Sequence, residues 1–89
     1  MAWTIKITAT AKKQLGKLDK TIAKRIVQKI TQVGELEDPR VQGKALTGPL
    51  SGLWRYRVGD YRALVEILDE EIVILVLEVD HRSRVYRSQ

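Results

Sequence analysis

The chain has no cysteine and no phenylalanine, one histidine, one methionine and two prolines among its 89 residues. Without cysteine there is neither a disulfide nor a thiolate metal site, so no covalent staple holds the fold and an intracellular setting is unforced. A single histidine, with no Asp/Glu pattern suggestive of a cation cage, disfavours metal-assisted hydrolysis and leaves no cofactor to expect. No basic segment followed by an apolar core opens the sequence, and no apolar run approaches the roughly 18 residues needed to span a bilayer. The expectation is a cytoplasmic protein with no membrane partner. Internal repeats and low-complexity stretches are absent too, which argues against a tandem or solenoid architecture. Gly43-Lys44-Ala45-Leu46-Thr47-Gly48 punctuates a loop but lacks the spacing of a phosphate-binding glycine loop.

What is present suits one small domain spanning residues 1–89, able to fold alone on a modest core. The 44% hydrophobic content lies well above that of disordered chains. A formal charge of +5 points to nucleic acid, an anionic surface or an acidic protein as partner, without choosing among them. The distribution says more. Residues 40–62 carry five Lys or Arg against one acid, residues 63–80 carry six acids and no Lys or Arg, and three arginines close the chain.

Trp3-Thr4-Ile5-Lys6-Ile7 alternates apolar and polar side chains and predicts a strand. Thr8 or Thr10 can cap a short lysine-rich helix over Ala9–Lys17, and Asp19 a longer one on which Ile22, Ile26, Val27, Ile30, Val33 and Leu36 recur at three- and four-residue spacing. The other side of that helix, Lys20, Lys24, Arg25, Gln28, Lys29 and Gln32, reads as a solvated face or as a secondary anion-attracting one, and the former is the simpler reading. Glu35 to Pro39 ends the helix, and a long connection runs to Gly52. Leu53–Val58 and Tyr61–Leu68 flank a Gly59-Asp60 turn, and Asp69-Glu70-Glu71 turns the chain into the apolar strand Ile72–Val79. The order β-α-α-β-β-β predicts an α+β fold, a small antiparallel sheet with two N-terminal helices packed on one face.

Two clusters stand out. Trp54-Arg55-Tyr56-Arg57 runs on to Tyr61-Arg62, and His81-Arg82-Ser83-Arg84-Val85-Tyr86-Arg87 follows the last strand. Guanidinium forks grip phosphate at two points and aromatic faces stack on unpaired bases, so the combination suits single-stranded nucleic acid, RNA first. Strand alternation sends Arg55 and Arg57 to one face, where Arg62 can join them, and Trp54, Tyr56 and Val58 to the other, where they can serve the core. Arginine used merely for solubility is the competing reading, but acids that would intersperse such a face are absent from residues 40–59. RNA cleavage without a metal needs a base for the ribose 2′-hydroxyl, cations for charge on the phosphorane and an acid for the leaving 5′-oxygen. Arginine supplies the cations but is a poor proton acceptor, which leaves His81 and Tyr86 for proton transfer.

In Lys44-Ala45-Leu46-Thr47-Gly48, in Leu53 to Arg62 and in His81-Arg82-Ser83-Arg84-Val85-Tyr86, in that order and at that spacing, the chain resembles the RelE branch of the RelE/ParE toxin superfamily over nearly its whole length. The resemblance implies a RelE-like toxin domain that cleaves messenger RNA in the ribosomal A site by metal-independent 2′-hydroxyl attack. It also implies an acidic, RelB-like antitoxin that holds the toxin inactive in a hetero-oligomer. By the same resemblance Arg55 and Arg57 stand at the basic positions of the strand after Gly52, Arg62 at a phosphate-clamping position, and Arg82 and Tyr86 at the catalytic arginine and stacking tyrosine of the tail. Lys44, Arg84 and Arg87 would add RNA contacts. Some relatives have lysine where this chain has Arg55 and Arg57, which shifts the proton-transfer role toward His81. Two alternatives share the fold: a ParE-like inhibitor of DNA gyrase without nuclease activity, and a non-catalytic module that binds RNA or antitoxin.

Overall fold

The computed structural model describes residues 2–81. A strand, β1 (Thr4–Ile7), leads into helices α1 (Ala9–Gly16) and α2 (Lys20–Gly34), a single turn of 3-10 helix at Pro39–Gln42 and a two-residue strand β2 (Lys44–Ala45). Then come β3 (Trp54–Val58), β4 (Tyr61–Leu68) and β5 (Val73–His81). The class is α+β, as expected, and the strands form one five-stranded sheet in the order β1-β5-β4-β3-β2.

The sheet is mixed where an antiparallel one was expected. Tight turns force β3, β4 and β5 to run antiparallel, and β2 joins them antiparallel, but β1 pairs with β5 in parallel, Thr4 opposite Val73 and Ile7 opposite Val76. Between β1 and the other strands lie two helices and a long connection, which impose no antiparallel constraint. The β3–β4 turn is Gly59-Asp60, with Gly59 at φ 59°, a left-handed geometry that glycine adopts without steric cost.

Both helix starts follow from their capping residues. The Thr8 hydroxyl accepts from the Ala11 N–H at 3.1 Å and the Asp19 carboxylate from the Thr21 N–H at 2.8 Å. Such caps contribute about 1 kcal/mol each. The apolar stripe of α2 then buries Ile26, Ile30 and Val33 against Tyr56, Ala63, Val65, Ile67, Ile74, Val76 and Val79 of the sheet, with Ala11 from α1. Each large aliphatic side chain so buried contributes roughly 1.5–3 kcal/mol.

One irregularity decides what each face carries. A β-bulge shifts the β4–β5 register between Leu64, opposite Glu78, and Val65, opposite Val76, so that Leu77 has no partner on β4. Before the bulge Ile74 and Val76 point to the helices; after it Val79 does, three residues on instead of two. Had β5 stayed regular, Glu78 and Asp80 would point into the core.

Tyr56 is the largest fully buried side chain, and its hydroxyl donates to the Pro39 carbonyl at 2.5 Å, pinning the connection after α2 to the sheet. Burial pushes its pKa up to about 12, with Arg40 opposing the shift and Asp38 adding to it. The neutral phenol is therefore the form the fold holds. Its contribution to stability is complete below the unfolded-state value of 10.0 and is lost as pH rises toward about 12. Urea midpoints measured between pH 9 and 12 should fall for the wild type with a steeper slope than for Tyr56→Phe.

Candidate nucleic-acid interface

The helices cover one face of the sheet, and the register assigns the basic side chains to the other. On adjacent antiparallel strands, residues in register share a face. One row across the sheet reads Lys44, Arg55, Leu64, Glu78, and the next reads Arg57, Arg62, Asp80. Arg57 and Arg62 are thus direct cross-strand neighbours, like charges at a separation where they repel. A sequence folds this way at a cost, and an anion between the two guanidinium groups would remove it.

The hydrogen bonding fits that description. Arg55 and Arg62 are half-buried, and the Nε of each is shut off from solvent with no hydrogen-bond partner among the described residues. Buried donors left unpaired are uncommon in folded proteins and call for an explanation such as an absent ligand. Arg57 is exposed, and its Nε reaches the Gly59 carbonyl only at 3.5 Å. The ion pairs among the described residues belong to Arg40, which bonds Asp38 and Asp69; neither Arg55, Arg57 nor Arg62 is paired with a carboxylate there. The hydrogen bond to Asp69 holds the Arg40 guanidinium above its ordinary pKa, against a smaller opposing effect of burial.

The aromatic residues of the first cluster are on the wrong side to stack on a base beside these arginines. Tyr56 is in the core, Trp54 and Tyr61 pack against it, and the Arg40 guanidinium lies over the Trp54 ring at 5.9 Å. Near Tyr61, a cavity of about 240 Å³ lined by Ile22, Arg25, Val58, Gly59, Asp60 and Tyr61 opens on the helix side, away from the arginine rows.

His81 is in register with Tyr61, and the two rings meet edge to face at 5.5 Å. Since Tyr61 packs on the core, the His81 ring lies on the helix side of the sheet. The structure therefore brings Lys44, Arg55, Arg57 and Arg62 together and does not bring His81 to them. Arg82, Arg84, Tyr86 and Arg87 lie outside the described residues. Sequence reasoning missed Glu78 and Asp80, which the bulge turns onto the arginine face. These acids come from the stretch of residues 63–80, so the acid-free face expected from residues 40–59 alone is not the face that the assembled sheet presents. Asp80, opposite Arg62, marks one border of the basic surface.

A family model for the ParE toxin of type II toxin–antitoxin systems matches residues 5–86. The chain belongs to that toxin family. The toxin is similar to toxin RelG of Mycobacterium tuberculosis, 38% identical over 98% of this chain and 99% of that one. It is also similar to the mRNA interferase toxin RelE of Escherichia coli, 31% identical over 94% of this chain and 87% of that one. Among solved structures it superposes on the RelBE2 toxin–antitoxin complex of M. tuberculosis with a TM-score of 0.84 at 33% identity, covering 93% of this chain and 94% of the matched one. Among the described residues no group of His, Cys, Asp or Glu is placed to hold a metal ion, and no helix is long and apolar enough to cross a membrane.

Proposed function

We propose that this toxin is an endoribonuclease that cuts messenger RNA on the ribosome in the cytoplasm, without a metal, by attack of a ribose 2′-oxygen on the adjacent phosphorus. The observation that carries the reading is the Arg57–Arg62 cross-strand pair, flanked by Arg55 and left without a carboxylate partner among the described residues. It is supported by the name of the E. coli relative, an mRNA interferase. In this reading the three arginines neutralise the scissile phosphate and the further negative charge that builds on it as the 2′-oxygen bonds to phosphorus. Lys44, beside Arg55 at the end of its row, holds a neighbouring phosphate. The 2′-hydroxyl gives up its proton to a base as it bonds to phosphorus, and as the P–O5′ bond breaks the 5′-oxygen takes up a proton from an acid, so no proton is gained or lost overall.

With His81 on the helix side, proton transfer falls to the tail, where Tyr86 is the group that sequence reasoning paired with it. Arg82 adds charge to the phosphate from the same segment, Tyr86 orients the adjacent base, and Arg84 and Arg87 contact RNA further out. The whole chain, 1–89, acts as one toxin domain.

This chemistry fixes the product ends. The upstream fragment should carry a 2′,3′-cyclic phosphate or the 3′-phosphate from its hydrolysis, and the downstream fragment a 5′-hydroxyl. Ligation and phosphatase treatment of the cleaved ends reads this directly. A 5′-phosphate with a free 3′-hydroxyl, the outcome of water attack on phosphorus with loss of the 3′-oxygen, would overturn the mechanism.

The partner proposed is an acidic, RelB-like antitoxin forming a hetero-oligomer, supported by the RelBE2 structure being that of a toxin–antitoxin complex. A segment rich in Asp and Glu laid over the arginine rows would supply the carboxylates they lack. The matched family model is named for the ParE branch, and this favours one second reading, inhibition of DNA gyrase with messenger RNA left intact.

A further inference from the structure

The open face of the sheet carries one group whose chemistry the arginines cannot supply. The bulge between β4 and β5 sends Glu78 to that face, in register with Leu64, which is itself in register with Arg55. Arg55 and Glu78 thus flank β4 from its two sides, two strand spacings or about 10 Å apart at the backbone. Arg62 is closer. It pairs with Asp80, two residues from Glu78, so Arg62 and Glu78 are diagonal neighbours on adjacent strands, about 7–8 Å apart. Leu64, between Arg55 and Glu78, is 3% exposed and takes no part in the cluster packed under the helices. The floor between the arginines and the carboxylate is therefore apolar. Glu78 is half-buried and makes no ion pair among the described residues. Asp80 is differently employed, with its Oδ1 accepting from the His81 N–H at 2.7 Å.

We propose that Glu78 is the general base of the cleavage reaction, taking the proton from the attacking ribose 2′-hydroxyl while Arg55 and Arg62 hold the scissile phosphate. This deepens the nuclease reading of the arginine face and rests on it. A guanidinium group has no lone pair to offer a proton, whereas a carboxylate is an acceptor on both oxygens. The spacing fits the task. Guanidinium to phosphate oxygen, 2′-oxygen to phosphorus, and 2′-oxygen to carboxylate are each contacts of about 3 Å, and laid end to end they fill the gap of about 10 Å across β4. As the O2′–P bond forms, the proton passes from O2′ to a Glu78 carboxylate oxygen. The P–O5′ bond breaks and the 5′-oxygen is protonated by a separate acid, so Glu78 takes over one of the two proton transfers and leaves the other as it stands. Exchange with water then returns the Glu78 carboxyl to its ionised form for the next cut.

The test is single-turnover cleavage of a defined messenger RNA on programmed ribosomes by the full chain, followed from about pH 5 to 8. Glu78→Gln keeps the size of the side chain and removes its basicity; Glu78→Asp keeps a carboxylate on a shorter arm; Glu78→Ala serves if the glutamine variant folds poorly. Glu78→Gln should lower the saturating rate by about a hundredfold or more and flatten the acid side of the pH profile, with little change in the ribosome concentration giving half-maximal rate. Glu78→Asp should recover part of the rate and bring the acid limb back. Cleavage by Glu78→Gln at the wild-type rate would overturn the proposal and leave the nuclease reading intact. A slower rate with the acid limb unchanged would overturn the base role as well, since a residue that only positions the RNA leaves the titration in place. A shift confined to the half-maximal ribosome concentration would make Glu78 a binding contact and overturn it too. A wild type that cuts no messenger RNA would overturn the nuclease reading and the proposal with it.

Discussion

Arg62→Ala should slow single-turnover cleavage of messenger RNA on programmed ribosomes by about a hundredfold or more, the usual cost of removing a group that meets charge developing in a transition state. The same substitution should leave the unfolding midpoint unchanged or raise it. Arg62 stands between Arg57 on one side and Asp80 on the other, so its cross-strand charge interactions largely offset, while its buried Nε has no hydrogen-bond partner among the described residues and is an unmet donor. Loss of activity without loss of stability is what distinguishes a residue kept for its ligand from one kept for the fold. Arg62→Lys preserves the charge but replaces a two-point fork by one ammonium, and should recover only part of the rate. Equal cleavage by wild type and Arg62→Ala, checked at two salt concentrations, would remove Arg62 from the site; a change in salt dependence alone would reduce it to a general phosphate contact.

The second large effect concerns Tyr56, on the same strand as Arg55 and Arg57 but facing the helices. Tyr56→Ala should cost about 3–5 kcal/mol, the range for truncating a large buried aromatic side chain. Against a total of about 5–15 kcal/mol for a native domain, that is a major share. In a domain of this size it lowers the thermal midpoint by more than about 12 °C. Tyr56→Phe keeps the ring and removes only the hydroxyl's bond to the Pro39 carbonyl, and should cost about 0.5–1.5 kcal/mol. Gly43 belongs to the same unit: a Cβ there would stand 3.0 Å from the Tyr56 Cζ and 3.2 Å from its hydroxyl. With the ring fully buried, Gly43→Ala must shift the loop backbone, and its cost should not add independently to that of Tyr56→Phe. Equilibrium urea unfolding measures all three. A Tyr56→Ala midpoint within about 0.5 kcal/mol of the wild type would contradict the packing described.

The parts of this structure that were legible in sequence are those set by local chemistry. Thr8 and Asp19 announce the two helices because a side-chain oxygen placed before an amphipathic stripe has one obvious use, and Gly59-Asp60 announces the hairpin because its backbone must turn with positive φ. Alternation along residues 54–58 was enough to separate the arginines from Trp54 and Tyr56. Facts of pairing were not legible. Nothing in Thr4–Ile7 says that its neighbour is β5 or that they run parallel, because that choice is made by the route of two helices and not by the strand's own residues. The bulge at Leu77 is equally hidden: Ile74, Val76 and Val79 break the period of two, and Leu75 and Leu77 offered an equally apolar alternative, so sequence could not say which set faces the core. That one inserted residue turns Glu78 and Asp80 onto the arginine face and the His81 ring away from it. The expectation that His81 would join the arginines failed for the same reason, a parity change no local pattern records.

The most direct measurement is primer extension across cellular messenger RNAs after brief induction of the wild type and of Arg62→Ala, with supercoiling by DNA gyrase assayed in parallel on the purified proteins. Cuts confined to translated regions in the wild type, their loss in Arg62→Ala and full gyrase activity in the presence of toxin are the results that an arginine-clamped, ribosome-bound nuclease requires. Growth arrest with intact messenger RNA and blocked supercoiling would contradict it and assign the arginine face to a protein target instead.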